Sequence, residues 1–311
     1  IRPSRGLGDV YKRQGLDITA IDKGDFNLSF GGNISFNKSK IENLGLVPGD
    51  ILMSDGMGGY ANQQIASYLG NVPSRGNSIK FPINIFMEGH EVALFYGWKT
   101  DGLFQSGDTM YPINGSMSQP GDIKVLDLNG DGVVDLADRT VIGNPNPDYV
   151  YGFNVNLSYK GFSMRALFNG VEGNEIVNGN YYRFGWAEGT YRNILADAWY
   201  DRWTPDNTSA AYPRLGYSAN LFGALMDRVI EDGSYLRLKS ITLNYDIPLS
   251  NNNFIDAANV YITGSNLFTW TDYSGYDPEI TTFLWDGLLQ GTDWNNKPNS
   301  RSVLVGVNLN F

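Results

Sequence analysis

Apolar and polar residues alternate, position by position, along several stretches of the chain. Across residues 26–36 the even-numbered positions are apolar apart from Gly32, and Asn, Ser and Gly fill the odd-numbered ones. Because successive side chains of a β-strand point to opposite faces of a sheet, this pattern predicts a strand with one apolar and one polar face. The stretches 149–159, 162–170 and 302–311 repeat the alternation. The pattern therefore predicts an all-β fold.

The predicted strands are separated by connections that alternate between short and long. The strands lie near 15–21, 25–37, 79–87, 90–100, 149–159, 162–170, 235–247, 258–270 and 302–311. The short connections are 22–24, 88–89, 160–161 and 248–257, and the long ones are 38–78, 101–148, 171–234 and 271–301. Strands of about 9–11 residues cross a bilayer when tilted, whereas sandwich strands commonly have about 5–6 residues. Short turns opposite long extracellular loops are typical of outer-membrane barrels. We therefore expect a large antiparallel transmembrane β-barrel with long extracellular loops.

The number of predicted strands is odd, whereas bacterial single-chain barrels have an even number of strands. We therefore expect this chain to be part of a larger barrel. Residues 1–14, IRPSRGLGDVYKRQ, show no alternation. We interpret them as a non-native or artefactual leader, which leaves residues 15–311 as the barrel segment.

The alternation also predicts which face of the barrel each strand residue occupies. The predicted lipid-facing residues are Val155, Leu157, Phe162, Phe168, Val303, Val305, Val307 and Phe311, and the predicted lumen-facing ones are Asn154, Asn156, Ser158, Asn308 and Asn310. Between 235 and 247 the alternation slips, because Leu236 and Leu238 have the opposite parity to Ile241, Leu243 and Tyr245. A β-bulge or a crossing of the membrane interface would produce such a slip.

Composition excludes several classes of protein. The 37 glycines, 19 tyrosines, 16 phenylalanines and 7 tryptophans favour strands and turns over helices. The absence of cysteine from the sequence excludes disulfides and thiolate metal sites. A net charge of −10 disfavours nucleic-acid binding, because phosphates require a basic surface. The sequence has no run of about 18 apolar residues that would predict a transmembrane helix. A mean hydropathy of −0.28 is compatible with a barrel, whose strands are apolar on one face only.

One acidic stretch, DLNGDGVVDLAD at 127–138, has the spacing of a calcium-binding loop. In an EF-hand loop the ligands occupy positions 1, 3, 5, 7, 9 and 12, and a glycine at position 6 allows the sharp turn. The predicted ligands are Asp127, Asn129, Asp131, the carbonyl of Val133, Asp135 and Asp138, with Gly132 at position 6. Position 12 is Asp rather than Glu, as in dockerin-type loops. We expect one structural Ca²⁺ here, and the alternative is an acidic surface turn without an ion.

Other residues offer little chemistry. His90 is the single histidine, and it lies at a predicted short turn. No Ser-His-Asp or histidine-metal arrangement can be built around it, so we expect no enzymatic activity. Asp277 and Glu279 are interpreted as turn and cap residues rather than as a glycosidase pair.

Aromatic residues are concentrated in the segments 180–193 and 198–205. Flat aromatic faces bind sugar rings and protein surfaces, although Trp and Tyr also form the girdles of barrels at membrane interfaces. Contact with a substrate or a lid protein is predicted for Tyr181, Tyr182, Trp186, Trp199 and Trp203. Helical spacing of Ile194, Leu195, Ala198, Trp199 and Arg202 predicts a helix over 193–203.

Five stretches resemble, in the same order, signatures of the SusC/RagA family of TonB-dependent outer-membrane transporters of Bacteroidota. They are YGWKTDGLFQS (96–106), the stretch 121–162 that includes the acidic loop, YDRWTPDNTSAAYPRL (200–215), SYLRLKSITLNYDIP (234–248) and NVYITGSNLFTWTDYSGYDPEI (259–280). The resemblance is to the C-terminal third of the family and covers nearly everything from residue 15 onward. It implies a 22-stranded barrel with a plugged lumen. It also implies an N-terminal plug, energy from TonB, and a SusD-like lipoprotein lid that captures glycans or peptides.

We therefore expect this chain to be the C-terminal barrel portion of an importer of oligosaccharides or peptides in the bacterial outer membrane. The plug and the TonB-engaging motif do not occur in this sequence, so transport would require the rest of the receptor. The alternative is a secreted soluble β module that binds carbohydrate and is stabilised by calcium. That module would purify without detergent.

Overall fold

The computed structural model describes residues 7–43, 65–68, 83–185, 193–216, 225–249, 254–279, 290–294 and 296–311. In chain order the strands are β1 (Leu7–Lys23), β2 (Phe26–Ile41), β3 (Ile65–Tyr68), β4 (Asn84–Met87), β5 (Leu94–Gly97), β6 (Thr100–Leu103), β7 (Pro112–Ile113), β8 (Ser116–Met117), β9 (Ile123–Val125), β10 (Thr140–Gly143), β11 (Tyr149–Tyr159), β12 (Phe162–Glu172), β13 (Glu175–Asn178), β14 (Ile230–Asp232), β15 (Tyr235–Asp246), β16 (Ala257–Thr271), β17 (Thr292–Asp293) and β18 (Ser302–Asn310). The helices are α1 (Gly179–Phe184) and α2 (Ala196–Tyr200). The prediction of an all-β fold is confirmed. None of the helices described is long and apolar enough to cross a membrane.

Seven long strands form the main sheet, in the order β1-β2-β11-β12-β15-β16-β18. Every neighbouring pair in this sheet is antiparallel. β1 and β18 are its two edges within the part of the chain that the structure describes, so the sheet is open there rather than closed into a complete barrel.

The short and long connections of the main sheet lie at opposite ends. The turns 24–25 and 160–161 lie at the same end of the sheet as the described ends of the connection from β15 to β16, because the register pairs Tyr159 with Phe26 and Phe162 with Tyr245. We call this the hairpin end. The connections 42–148, 173–234 and 272–301 all leave the other end, which we call the loop end. The predicted separation of short and long connections is confirmed for these segments.

The turn at 88–89 lies at the loop end, so its predicted place among the short turns of the barrel is wrong. β4 and β5, which fall within two predicted barrel strands, pair instead with β3 and β10 in a separate four-stranded sheet. The backbone N–H of Gly89 donates to the carbonyl of Ile41 over 2.7 Å. This bond places the turn, and His90 with it, beside the last residue of β2.

The side chains of the main sheet divide between an apolar and a polar face. Val155 lies opposite Phe30, and Val305 lies opposite Ile262. On the other face, the hydroxyls of Thr242 and Thr263 are 2.9 Å apart. All predicted lipid-facing residues within the strands share the first face, and all predicted lumen-facing residues share the second. Phe311 follows β18, with its ring 5.4 Å from that of Phe254.

A β-bulge, one of the two explanations considered for the slip in alternation, is present in β15. The pairing of β15 with both neighbours shifts between Leu238 and Ser240. Lys239 is an extra residue relative to β12, whereas β16 has one residue more than β15 over the same stretch. Leu238 lies opposite Phe168, and Ile241 lies opposite Ala166. Leu238 and Ile241 therefore share the apolar face although their parities differ, since a bulge reverses the facing of the residues that follow it.

The three long connections pack around a common hydrophobic core, which we call the loop-end core. It includes Trp98 and Phe104 from the first connection, Val177 from the second and Trp294 from the third. The backbone N–H of Trp98 donates to the carbonyl of Leu225 over 2.9 Å, which joins the first connection to the second. β13 pairs in parallel with β17, which joins the second to the third. The connections therefore form one packed unit above the main sheet.

The first strand begins upstream of its predicted start. β1 begins at Leu7 and pairs with β2 as far as Ile41. Residues 7–14 therefore continue the strand predicted near 15–21. Strand pairing does not test where a segment comes from, so the non-native origin of residues 1–14 stays a prediction. Residues 1–6 lie outside the described part of the chain.

Candidate functional site

The acidic loop 127–138 belongs to the first long connection, at the loop end. Gly130 and Gly132 adopt φ angles of +77° and +84°, a region that residues with a Cβ rarely adopt. These two glycines let the loop reverse direction twice within a few residues. The loop ends in a 3₁₀ turn over Leu136–Asp138, whose first N–H groups are capped by the side chain of Asp135.

The carboxylates of this loop accept hydrogen bonds from its own backbone. Asp127 accepts from the N–H groups of Gly130 and Gly132, at 2.7 and 2.8 Å. Asp138 is fully buried, and it accepts from the N–H groups of Leu128 and Asp135, both at 2.8 Å. These bonds explain why Asp and Gly alternate here, since each turn needs an acceptor side chain and a permissive backbone.

The structure does not gather the predicted calcium ligands around one point. In the part of the chain that it describes, no set of three or more His, Cys, Asp or Glu side chains is placed to hold a metal ion. The predicted donors are nevertheless all oxygen atoms, which calcium prefers. Calcium binding by Asp127, Asn129, Asp131, Val133, Asp135 and Asp138 stays a prediction.

Two of the predicted aromatic contact residues are buried. Tyr182 is 3% exposed, and its ring lies 5.9 Å from that of Trp294 in the loop-end core. Trp203 is 8% exposed, and its indole N–H donates to the side-chain oxygen of Gln105 over 3.2 Å. The sequence motif does not distinguish a packing aromatic from a binding one. In this structure Tyr182 and Trp203 pack within the loop-end core, and contact of either residue with a substrate or a lid protein stays a prediction.

The remaining aromatic candidates have different environments. Tyr181 lines a cavity at the loop end. Trp199 is 46% exposed, and the guanidinium of Arg202 lies 4.2 Å from its ring centre. Trp186 lies outside the described residues. Ligand contact by Tyr181, Trp186 and Trp199 stays a prediction.

The helices differ from the predicted one. The helix expected over 193–203 is short, because α2 covers Ala196–Tyr200 only. The second helix, α1 at Gly179–Phe184, was not expected. Asn178 caps it, because its side-chain oxygen accepts a hydrogen bond of 2.9 Å from the N–H of Tyr181.

The first of two adjoining cavities lies beside α1 and has a volume of about 290 Å³. It is lined by uncharged residues, namely Asn178, Asn180, Tyr181, Phe184, Leu195, Ser274, Gly275 and Tyr276. The side-chain N–H₂ of Asn178 donates to the carboxylate of Glu231 at 2.8 Å and to the hydroxyl of Ser274 at 3.1 Å. These bonds hold α1 against the residues that follow β16.

The second cavity lies against the loop ends of β15 and β16 and has a volume of about 190 Å³. Its lining is mostly polar and comprises Arg237, Asn266, Thr269, Thr271, Gly275, Tyr276, Asp277, Pro278, Asn299 and Arg301. Gly275 and Tyr276 belong to both cavities, so one short stretch of backbone separates the two.

Arg237 is the buried centre of this second region. It is 2% exposed, and its guanidinium donates to Asp277, to Glu279 at 2.7 Å and to the hydroxyl of Thr269 at 3.0 Å. A buried charge is tolerated when it is paired and hydrogen-bonded, and both conditions hold here. Sequence analysis missed this cluster. The carboxylates of GYDPEI were noticed, but their partner lies 40 residues away in the chain, and one sequence gives no signal for that pairing.

Three titratable groups near these cavities have shifted pKa values. Burial raises the pKa of Asp277, but hydrogen bonds from Arg237 and from two backbone N–H groups outweigh it, so this pKa lies below its ordinary value. Burial raises the pKa of Asp293, and a hydrogen bond of 2.9 Å from the hydroxyl of Tyr273 offsets this only in part. Burial, followed by the charge of Asp293, raises the pKa of Tyr273. The pKa is therefore lowered for Asp277, which lines the second cavity, and raised for Asp293, which lines neither cavity.

Comparison with known proteins shows relatives over most of the chain, although no family model matches it. TonB-dependent receptor P3 of Formosa agariphila is 32% identical over 299 residues, which is 92% of this chain and 27% of that protein. TonB-dependent receptor P26 of the same organism is 30% identical over 302 residues, with 95% and 28% covered. TonB-dependent receptor SusC of Bacteroides thetaiotaomicron is 27% identical over 295 residues, with 92% and 25% covered. The chain thus spans about a quarter of the length of these relatives.

Solved structures have the same fold. The RagAB peptide transporter matches with a TM-score of 0.67 at 24% identity, covering 96% of this chain and 29% of that one. The RagAB peptide importer in its open-open state gives a TM-score of 0.67 at 23% identity, with 97% and 28% covered. The open seven-stranded sheet therefore has the architecture of part of a transporter barrel. Over most of its length, the chain is therefore similar to TonB-dependent receptors, SusC among them, and it has the fold of part of the RagAB transporter.

Proposed function

We propose that this chain is part of a receptor that imports nutrients across the bacterial outer membrane. The observation that carries the proposal is the continuous apolar face of the main sheet. Val303, Val305 and Val307 are 60–70% exposed on that face, where a water-soluble protein would place polar residues. Contact with lipid accounts for this exposure, because a barrel strand turns alternate residues to the bilayer.

The second part of the proposal concerns orientation and partners. The loop end faces the cell exterior, because long loops of outer-membrane barrels are extracellular. A SusD-like lipoprotein covers this end and delivers an oligosaccharide or a peptide. TonB supplies energy through another part of the full-length receptor. The proposed role is transport rather than catalysis, in keeping with relatives that are named receptors.

The test uses the full-length receptor, tagged, in its native bacterium. We expect the tagged protein in the outer-membrane fraction, released by detergent and not by salt. We also expect deletion of the gene to abolish uptake of one class of labelled oligosaccharide or peptide, and the intact gene to restore it. Recovery of the protein from the culture medium without detergent would instead support the alternative, a secreted carbohydrate-binding β module.

We further propose that the loop 127–138 binds one structural Ca²⁺. The support is the complete EF-hand spacing of oxygen donors, together with four carboxylates whose mutual repulsion a cation would relieve. Because no three carboxylates of the described residues are placed to hold a metal ion, binding requires side chains of the loop to move together, and the ion would tighten the loop. Its role would be to keep the first long connection ordered at the proposed substrate entrance.

A further inference from the structure

We infer that the two adjoining cavities beside Tyr276 form one binding groove for an uncharged oligosaccharide. This inference rests on the proposed function, because it gives the importer a recognition site and a ligand class. The cavities measure about 290 and 190 Å³. Only together do they fall within the usual range of small-molecule sites, about 300–1,000 Å³.

Tyr276 joins the two cavities, because its side chain is part of the lining of each. It is 73% exposed, so its ring is accessible from solvent. The flat face of a tyrosine offers apolar contact to the carbon-bound hydrogens of a sugar ring, while its hydroxyl remains available for a hydrogen bond. A ligand that spans both cavities therefore passes over this ring.

The polar atoms of the groove fit hydroxyl groups. Among the described residues, the side-chain nitrogen of Asn180 and the side-chain oxygen of Asn266 are buried and have no hydrogen-bond partner. Asn180 lines the first cavity and Asn266 lines the second, so the donor and the acceptor belong to residues of the groove. A hydroxyl group both donates and accepts, so a ligand rich in hydroxyls can satisfy both after small side-chain rotations.

The charges of the groove favour a neutral ligand over a peptide. The lining of the first cavity contains no Asp, Glu, Lys, Arg or His. In the second cavity the guanidinium of Arg237 is already paired with Asp277 and Glu279, so it has no charge to offer a carboxylate. Arg301, which also lines the second cavity, is exposed to solvent. A free peptide would bring two charged termini, and the interior of the groove provides a matched partner for neither.

The experiment uses the purified full-length receptor with its lipoprotein partner in detergent. Binding is measured on an array of neutral oligosaccharides, with mixed-sequence hexapeptides as the second arm, and the tightest ligand is then titrated by calorimetry. We expect a neutral oligosaccharide to bind, and Tyr276→Ala to weaken it by about tenfold, as for the loss of one aromatic contact. Asn180→Ala should weaken binding also, because it removes the free donor of the first cavity.

Tyr200→Ala is the matched control. Tyr200 is 81% exposed in α2, and neither cavity includes it, so its removal should leave the affinity unchanged. Unaltered oligosaccharide affinity in Tyr276→Ala would overturn the groove and leave the proposed importer intact. Binding of peptides but of no neutral oligosaccharide would overturn the ligand class. A receptor absent from the outer membrane would overturn the proposed function itself.

Discussion

At the scale of single residues, Arg237 shows how this chain joins its long loops to its sheet. The side chain starts on the polar face of β15, opposite Thr269 of β16, and ends between Asp277 and Glu279. Leaving a buried charge without its partner costs about 3–5 kcal/mol, whereas an exposed pair contributes about 0–1 kcal/mol. Because Arg237 is buried, breaking this cluster costs more than breaking an exposed ion pair. The cluster therefore holds the stretch 272–279 in place.

Replacing Arg237 with Gln should loosen that stretch without unfolding the barrel. The variant leaves Asp277 unpaired while it is 5% exposed, so we expect faster cleavage between residues 272 and 279 in limited proteolysis of the full-length receptor. Lys239→Gln is the control, because Lys239 also pairs with Glu279 but its side chain is 41% exposed. Equal cleavage rates in the two variants would show that burial does not govern the strength of this cluster.

The same cluster should make the loop end sensitive to acid. The pKa of Asp277 is lower in the folded protein than its ordinary value, for the reasons given above. A group of this kind stabilises the folded state above its ordinary pKa, and the stabilisation is lost as the pH falls through the folded pKa. We expect protection of residues 272–279 from proteolysis to decline below about pH 4. The decline should be smaller in Asp277→Asn, and an identical profile in this variant would exclude Asp277 as its cause.

At the scale of elements, the sequence predicted the strands of the main sheet well. Each strand has one apolar and one polar face, and this difference produces the alternation in the sequence. The sequence also showed the irregularity within β15, because Lys239, an extra residue relative to β12, changes the parity of the apolar positions. The alternation failed for β4 and β5. Ile85 and Phe95 are buried in the sheet that these strands form, and the local pattern does not state which sheet a strand joins.

The candidate site was much less predictable than the fold. The acidic loop and Tyr181 were recognised from spacing and composition. The Arg237 cluster depends on contacts between β15 and the third long connection, and the first cavity depends on contacts between the second and third connections. The buried positions of Tyr182 and Trp203 depend on the loop-end core. Such long-range contacts leave no periodic signal in a single sequence.

The acidic loop provides a prediction at this scale. Titration of the full-length receptor with Ca²⁺ should release or absorb heat at one site, and Asp127→Ala should abolish it, because the first ligand of the loop is lost. Residues 121–145 should then exchange their amide hydrogens faster, while the strands of the main sheet remain protected. Asp246→Ala, at the hairpin end, is the control. No calcium-dependent heat in the wild type would identify the loop as an acidic turn held by its own backbone bonds.

At the scale of the whole molecule, the proposed contact between the apolar face and lipid can be tested by substitution. Val305 is 70% exposed in the middle of β18. Replacing it with Arg should lower the free energy of unfolding of the full-length receptor in lipid vesicles by about 2–4 kcal/mol, because a charge near the bilayer midplane is poorly solvated. Asn308→Arg, on the polar face of the same strand, should cost far less. Similar costs for both would mean that the faces are wrongly assigned to lipid and lumen.

The directions of the two edge strands limit how many further strands a closed barrel can contain. Neighbouring strands in it run in opposite directions, so β1 and β18, the first and seventh in the order, run in the same direction. If the two edges met each other, they would form a parallel seam in an otherwise antiparallel sheet. Closure with antiparallel pairs throughout therefore requires an odd number of further strands between β18 and β1. Added to seven, any odd number gives an even total, which is the rule for bacterial barrels.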